Sequence, residues 1–133
     1  MKLKNNTIGQ AALSIILIIG GIISLVALTL IIIISSYSSS AYGFQNSQIA
    51  LAVANSGADD ALIQLIRNKL FEQNYIVEVE NYSANVQVIQ NSPQQGQITI
   101  ISEGNVFNNK KRVRVIVSVD NNGELRIIKR DQI

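Results

Sequence analysis

The chain has 133 residues, 47% hydrophobic and 15% charged, with a net charge of +2, which leaves room for one modest domain beyond its apolar segment. It contains no Cys, His or Trp, so disulfides and thiolate metal sites are excluded, and the commonest general base and metal ligand is missing. Lys2 and Lys4 supply the whole surplus of positive charge, so the bulk balance carries no signal for nucleic acid.

In chain order, the first element is an apolar run. Gln10 to Ile34 carries no charge, and Ala11–Ile34 is 24 residues long. As a helix it would span about 36 Å, against a hydrocarbon core of about 30 Å. Cleavable secretion signals have apolar stretches of only about 7–15 residues. The small residues of SSYSSSA that follow still leave open a cut after Ala41, which would release a secreted domain. Lys2 and Lys4 stand before the run, and no Lys or Arg follows until Arg67. The positive-inside rule then places the N-terminus in the cytoplasm and everything beyond Ser35 outside. Gly20 and Gly21 either admit a closely packed neighbouring helix or are simply tolerated in a lipid-facing one.

No proline occurs before Pro93, and a helical pattern resumes beyond the run. Leu51, Ala54, Ala58, Ala61, Leu62 and Leu65 form a stripe at spacings of 3 and 4, with Ser56, Asp60, Gln64 and Arg67 opposite. A stripe of small residues calls for a close partner such as a sheet. The serine-rich link (Ser35, Ser36, Ser38, Ser39, Ser40) with Gly43 is the place where bending or fraying is expected. A helix from about residue 11 to about 71 would be roughly 90 Å long.

After Phe71 the period changes to 2. Tyr75, Val77 and Val79 alternate with Ile76, Glu78 and Glu80. NYSAN then reads as a turn, VQVIQ as a strand, NSPQQGQ as a turn cluster and ITIIS as a third strand. In RVRVIVSV, Val113, Val115, Val117 and Val119 alternate with Arg112, Arg114, Ile116 and Ser118, the pattern of a half-buried strand. DNNG at 120–123 is a hairpin signal, and ELRIIKR is the returning strand. The predicted fold is α+β. A long N-terminal helix, transmembrane in its first half and amphipathic in its second, packs on an antiparallel sheet of four to five strands. The expected segments are 1–9 as a leader, 10–34 as the membrane helix, 35–71 as its extracytoplasmic continuation and 72–133 as the β domain.

This layout resembles the type IV pilins and pseudopilins. A short basic leader ends in Gly9, an uncharged helix follows, and ANSGADDALIQL (54–65) stands where the helix leaves the membrane. ISEGNVFNNKKRVRVIVSV (101–119) matches a strand with an S-x-G turn followed by a basic, Val-rich strand. The resemblance implies cleavage after Gly9 by a prepilin peptidase, with Gln10 as the new and methylated N-terminus. Three positions depart from the pattern. Gln10 stands where most members have Phe. Thr7 and Ile8 stand where a basic residue usually precedes the cut. Ser14 stands where major subunits carry a Glu that meets a neighbour's terminal ammonium. A carboxylate in hydrocarbon is costly unless paired. Ser14 avoids that cost and supplies no charge, as in minor pilins lacking the Glu. Ser14, Gly20 and Gly21 are thus expected in helix-core packing.

Paired carboxylates occur only at Asp59-Asp60, and adjacent helical side chains diverge by about 100°, so solvated or subunit-contacting acids are expected rather than a dyad. Lys110, Lys111, Arg112 and Arg114, with Lys129 and Arg130, read either as a basic surface for nucleic acid, glycans or lipid headgroups or as a solvated strand with lysine-protected edges. No aromatic residue interleaves with the run, as single-strand binders prefer. VDNNGE offers too few oxygens for calcium. Phosphate loops, nucleophile elbows and metal spacings are absent, so no cofactor is expected.

The expected function is therefore structural and non-enzymatic: a minor subunit of a type IV pilus-like filament or type II secretion pseudopilus. Its expected partners are other pilins, the peptidase, an assembly platform membrane protein and, before assembly, the lipid bilayer. The expected location is the cytoplasmic membrane and then a cell-surface filament. The alternative is a permanently anchored single-pass protein whose outer β domain serves adhesion or partner binding.

Overall fold

The computed structural model describes residues 6–120 and 122–133; Lys2 and Lys4 lie outside the described residues. One helix, α1 (Asn6–Arg67), is followed by five strands: β1 (Asn74–Val79), β2 (Tyr82–Gln90), β3 (Gln97–Val106), β4 (Asn109–Val119) and β5 (Leu125–Gln132). The strands form an antiparallel meander in the order β1-β2-β3-β4-β5. Two compact units divide between Ala41 and Tyr42. The first contains only the N-terminal part of α1. The second contains the rest of α1 and the whole sheet. The architecture is the expected α+β arrangement, with helix packed on sheet.

The serine-rich link is helical throughout and does not fray. Ser39 and Ser40 donate their hydroxyl protons to the carbonyls of Ser35 and Ser36, at 3.1 and 3.0 Å. Each hydroxyl is thereby satisfied one turn back, leaving the backbone ladder intact.

In the second unit, helix burial is centred on Ala50, Val53, Ala54, Gly57, Ala58, Ala61 and Leu65. Ala54, Ala58, Ala61 and Leu65 were legible from periodicity, whereas the expected Leu51 and Leu62 flank the stripe and are only half-buried. Opposite, Ser56 and Arg67 are exposed as expected, but Asp60 and Gln64 are half-buried at the stripe's border. The core is completed by Ala84, Val86 and Val88 from β2, Ile98, Ile100 and Val106 from β3, and Val113, Val115 and Val117 from β4.

Helix and sheet approach closely because the contact is lined by small residues. A Cβ on Gly57 would come to 2.5 Å from Ser102 Oγ and 2.7 Å from Ala84 Cβ. A Cβ on Gly104 would overlap the Ala50 carbonyl oxygen and sit 2.6 Å from Ala54 N. This contact corrects two sequence expectations. S-E-G is no turn: Ser102 and Gly104 lie inside β3 beneath the helix, and the chain reverses between Val106 and Asn109, with Phe107 at φ 50°. NYSAN likewise shrinks to a turn at Glu80–Asn81, because Ala84 is needed in the core under Gly57 and β2 already begins at Tyr82. The predicted alternations of β1 and β4 hold, with Tyr75, Val77 and Val79 half-buried and Ile76 and Glu78 exposed.

The helix ends at Arg67, a turn earlier than expected. Asn68 N–H makes the last helical bond, to Gln64 O, and Asn68 Oδ1 then accepts Leu70 N–H at 3.1 Å. Phe71 turns in to meet Tyr75 edge-on, with ring centroids 5.6 Å apart. The Gln90 side-chain amide donates to the carbonyls of Lys69 and Phe71, both at 3.0 Å, tying the loop to β2. At the last hairpin, Gly123 (φ 80°) donates its N–H to Asp120 O and Asp120 N–H reaches Glu124 O, as the DNNG signal requires.

Filling the helix–sheet contact should be destabilising. Gly104→Ala is expected to cost about 1–3 kcal/mol through overpacking, although alanine normally improves on glycine within a strand. Ser102 Oγ is buried with no hydrogen-bond partner among the described residues. Ser102→Ala in the same contact should therefore be neutral or stabilising. Urea unfolding of the full chain in detergent, followed by the near-ultraviolet tyrosine signal, checks both signs.

Candidate functional site

The first candidate is the apolar face of the N-terminal unit. Every residue from Gly9 to Tyr42 is exposed. From Leu13 to Ile34 Leu and Ile side chains dominate the surface, for example Leu17 at 68% and Ile34 at 66% exposure. One helix of the chain is long and apolar enough to cross a membrane, with a mean hydropathy of 3.0 in its most apolar window and none of that window buried. Such a surface is stable only in lipid or against other apolar helices.

The polar groups within this helix have partners of their own. Ser14 Oγ donates to Gln10 O at 3.1 Å, Ser24 Oγ to Gly20 O at 2.8 Å, and Thr29 Oγ1 to Leu25 O at 2.8 Å. In hydrocarbon an unsatisfied hydroxyl costs several kcal/mol. These three avoid that cost without help from any neighbour. Gly9, Gly20 and Gly21 have nothing within 4 Å of where a Cβ would stand. At Gly20 and Gly21 the helix therefore offers a shallow, backbone-lined place where another helix can approach. Gly9 and Gln10 both lie within α1, exposed.

The predicted basic surface is not one surface. Register places Lys110, Arg112 and Arg114 on the face of the sheet away from the helix, while Lys111 pairs with Gly104 on the helix side. Arg112 Nε and Lys110 Nζ both reach Glu103, the latter at 3.8 Å. Arg114 grips Asp131 with two bonds, Nε to Oδ1 at 3.2 Å and Nη2 to Oδ2 at 2.7 Å. Lys129 joins the same carboxylate at 3.2 Å. Arg130 belongs to the opposite face and reaches the helix. Sequence order thus brought together cations that the pleat separates and that two carboxylates only partly neutralise. Nor do aromatics accompany them: Tyr82 and the exposed Phe107 pack edge-on, 6.1 Å apart, in a shallow groove with Glu78 and Glu80.

Asp59 and Asp60 are placed as their divergence on a helix demands. Asp59 Oδ1 accepts from Arg130 Nη1 at 3.0 Å, and Arg130 Nη2 also donates to Asn55 Oδ1 at 2.9 Å. Asp60 Oδ2 accepts the Tyr75 hydroxyl at 2.8 Å. One carboxylate therefore reaches edge strand β5 and its neighbour reaches edge strand β1. They are helix-to-sheet ties rather than a dyad, and the sequence signal that could have identified them was the Arg and Tyr on the two outermost strands. Burial, followed by the hydrogen bond to Asp60, raises the Tyr75 pKa well above the ordinary phenol value.

A groove of about 570 Å³ crosses the outer face of the sheet between Ile76, Asn85, Gln87, Ile101, Glu103 and Arg112. Its one carboxylate is the Glu103 already engaged by Arg112 and Lys110. Among the described residues, no group of three or more Asp or Glu side chains converges as a metal site. Compared with family models, with curated proteins and with solved structures, the chain returns no match in any of the three.

The hydrogen bonds from Arg114, reinforced by Lys129, pull the Asp131 pKa down from 3.8 to about 2. A folded-state pKa below the unfolded one means the carboxylate stabilises the fold above about pH 4, and that stabilisation is lost as pH falls toward about 2. Asp131→Asn should flatten the acid side of the stability profile in this window. The check is the urea midpoint of each protein between pH 5 and 2.

Proposed function

We propose that the chain is a structural, non-enzymatic subunit of a type IV pilus-like filament or type II secretion pseudopilus, and a minor one. The observation that carries this reading is the uncharged, fully exposed helix from Gln10 to Ile34, whose own hydroxyls are bonded internally, in the same α1 that continues into the sheet-packed half. Such a helix is equally dry in lipid and among helices of the same kind, so its apolar burial is kept when one environment replaces the other. In this reading the subunit waits in the cytoplasmic membrane with its N-terminus inside. A prepilin peptidase cuts between Gly9 and Gln10, Gln10 is methylated, and a platform membrane protein helps transfer the helix into the surface appendage. Gly20 and Gly21 give the neighbouring helices their closest approach.

The assignment as a minor subunit rests on Ser14. Its hydroxyl is spent on Gln10 O, so it neither needs nor offers a charged partner between subunits. Nucleic acid is not favoured as a partner, because Glu103 and Asp131 hold the cations of the outer face and the exposed aromatic pair lies beside acids.

A second reading is supported by the same internal hydroxyl bonds. A span whose hydroxyls are all bonded within the helix is stable in lipid, which suits a permanently anchored protein with an outer β domain.

Intact-mass measurement of the membrane-extracted chain separates the two. The filament reading expects a mature protein beginning at Gln10, present in sheared surface material. Gly9→Val should leave the leader attached and remove the chain from that material. An unprocessed wild-type chain starting at Met1, absent from the sheared fraction, selects the permanent anchor.

A further inference from the structure

The sheet is open at both edges, β1 on one side and β5 on the other, and the edges differ in charge. The segment 72–80 on the β1 side carries Glu72, Glu78 and Glu80 and no cation. None of the three has an ion pair among the described residues. On the other edge β5 carries Arg126, Lys129 and Arg130 against Asp131. Arg126 has no partner among the described residues, and Lys129 keeps 57% of its side chain in solvent.

Topology adds a directional constraint. In an antiparallel meander of five strands, β1 and β5 run the same way. A copy whose β5 edge lies beside another's β1 edge therefore keeps its helix segment Tyr42–Arg67 pointing in the common direction. Chains entering one membrane must share that direction. Register supplies a row as well. Asn74 pairs with Gln87, and Gln73 O accepts Val88 N–H at 3.2 Å, so Glu72 comes level with Ile89. The row Ile89, Thr99, Ile116 ends at Lys129 on the far edge. Glu72, in the loop before β1, thus lies beside Ile89 at one end of the row that Lys129 ends at the other.

From these observations we propose that copies of this chain associate side by side, the acidic β1 edge of one facing the basic β5 edge of the next. The symmetric alternatives place like charges together: β1 against β1 opposes glutamates, and β5 against β5 opposes Arg126 and Lys129 with themselves. Only the mixed contact is complementary. It is heterologous and leaves a free edge of each kind at the ends, so it propagates rather than closing as a pair. The bulge at Ile128 and the charges on both edges limit continuous backbone pairing, so the contact is carried by side chains. The proposal takes from the filament reading only the shared membrane orientation of the copies, and a long ladder of multimers would overturn the assignment as a minor subunit.

The absence of native cysteine makes the test direct. Asn74→Cys on β1 and Ile128→Cys on β5 are both exposed and leave every charge in place. In membranes treated with a short bis-maleimide, co-expressed N74C and I128C chains should cross-link to each other, neither should do so alone, and the doubly substituted chain should give a ladder of multimers. E78K with E80K should weaken the ladder about two- to fivefold, the range of exposed ion-pair energies, and adding R126E with K129E should restore it. Cross-linking of either single variant with itself, or no product from the mixture, overturns the proposal. A ladder without protein in sheared surface material keeps the edge contact and overturns the filament reading. Protein in sheared material with no ladder does the reverse.

Discussion

The close approach of backbone to backbone, where α1 crosses the sheet, is the constraint from which the second unit takes its form. Gly57 rests on Ser102 and Ala84, and Gly104 rests under Ala50 and Ala54. At these two contacts no added side chain fits between helix and sheet, and the helix cannot slide along the sheet without driving a Cβ into its neighbours. Packing of this kind tolerates little error. It fixes which residues of β3 must be small, and so why Ser102 and Gly104 interrupt an otherwise β-branched strand. It also fixes how far the helix stands from each sheet edge. Asp59 and Asp60, neighbours in the chain, reach Arg130 on β5 and Tyr75 on β1 because a tightly seated helix brings both edges within side-chain range. The exposed Arg130–Asp59 pair contributes little energy, about 0–1 kcal/mol. The effect of both ties is to hold edge strands that have a neighbour on one side only.

The N-terminal unit obeys a different rule. Among its described residues none from Gly9 to Ala41 is buried, and the surface from Ala11 to Ile34 is apolar. What decides its behaviour is the treatment of Ser14, Ser24 and Thr29. Each hydroxyl returns to a carbonyl one turn earlier, so the helix presents hydrocarbon and no polar demand. That property suits lipid and helical neighbours alike, which is why one physical feature supports both the filament and the anchor readings. A carboxylate at position 14 would have tied the helix to a charged partner. Serine leaves it without one.

On the outer face of the sheet, Glu103 and Asp131 each collect two cations, Glu103 from β4 and Asp131 from β4 and its own β5. The positive charge that looks concentrated along β4 is therefore partly offset locally. The two sheet margins differ in sign, acidic on the β1 side and basic on the β5 side, and this lateral asymmetry distinguishes the molecule electrostatically.

Much of this architecture was written in local pattern. The uncharged run to Ile34, the stripe through Ala54, Ala58, Ala61 and Leu65, and the alternation of Val113, Val115 and Val117 each express a period that the backbone imposes on neighbouring residues, so the long helix, the sheet and their buried faces were legible without coordinates. Glycine and serine at 102–104 misled because their turn preference is local, whereas their task is to make room for a helix some fifty residues earlier. The cluster of cations at 110–114 misled for the opposite reason: proximity in the chain is not proximity across a pleat, and Glu103 and Asp131, which partly neutralise those cations, arrive from other strands. Local periodicity sets which residues turn inward. Only the meeting of distant segments, at a spacing narrow enough to exclude a single methyl group, decides what each of them faces.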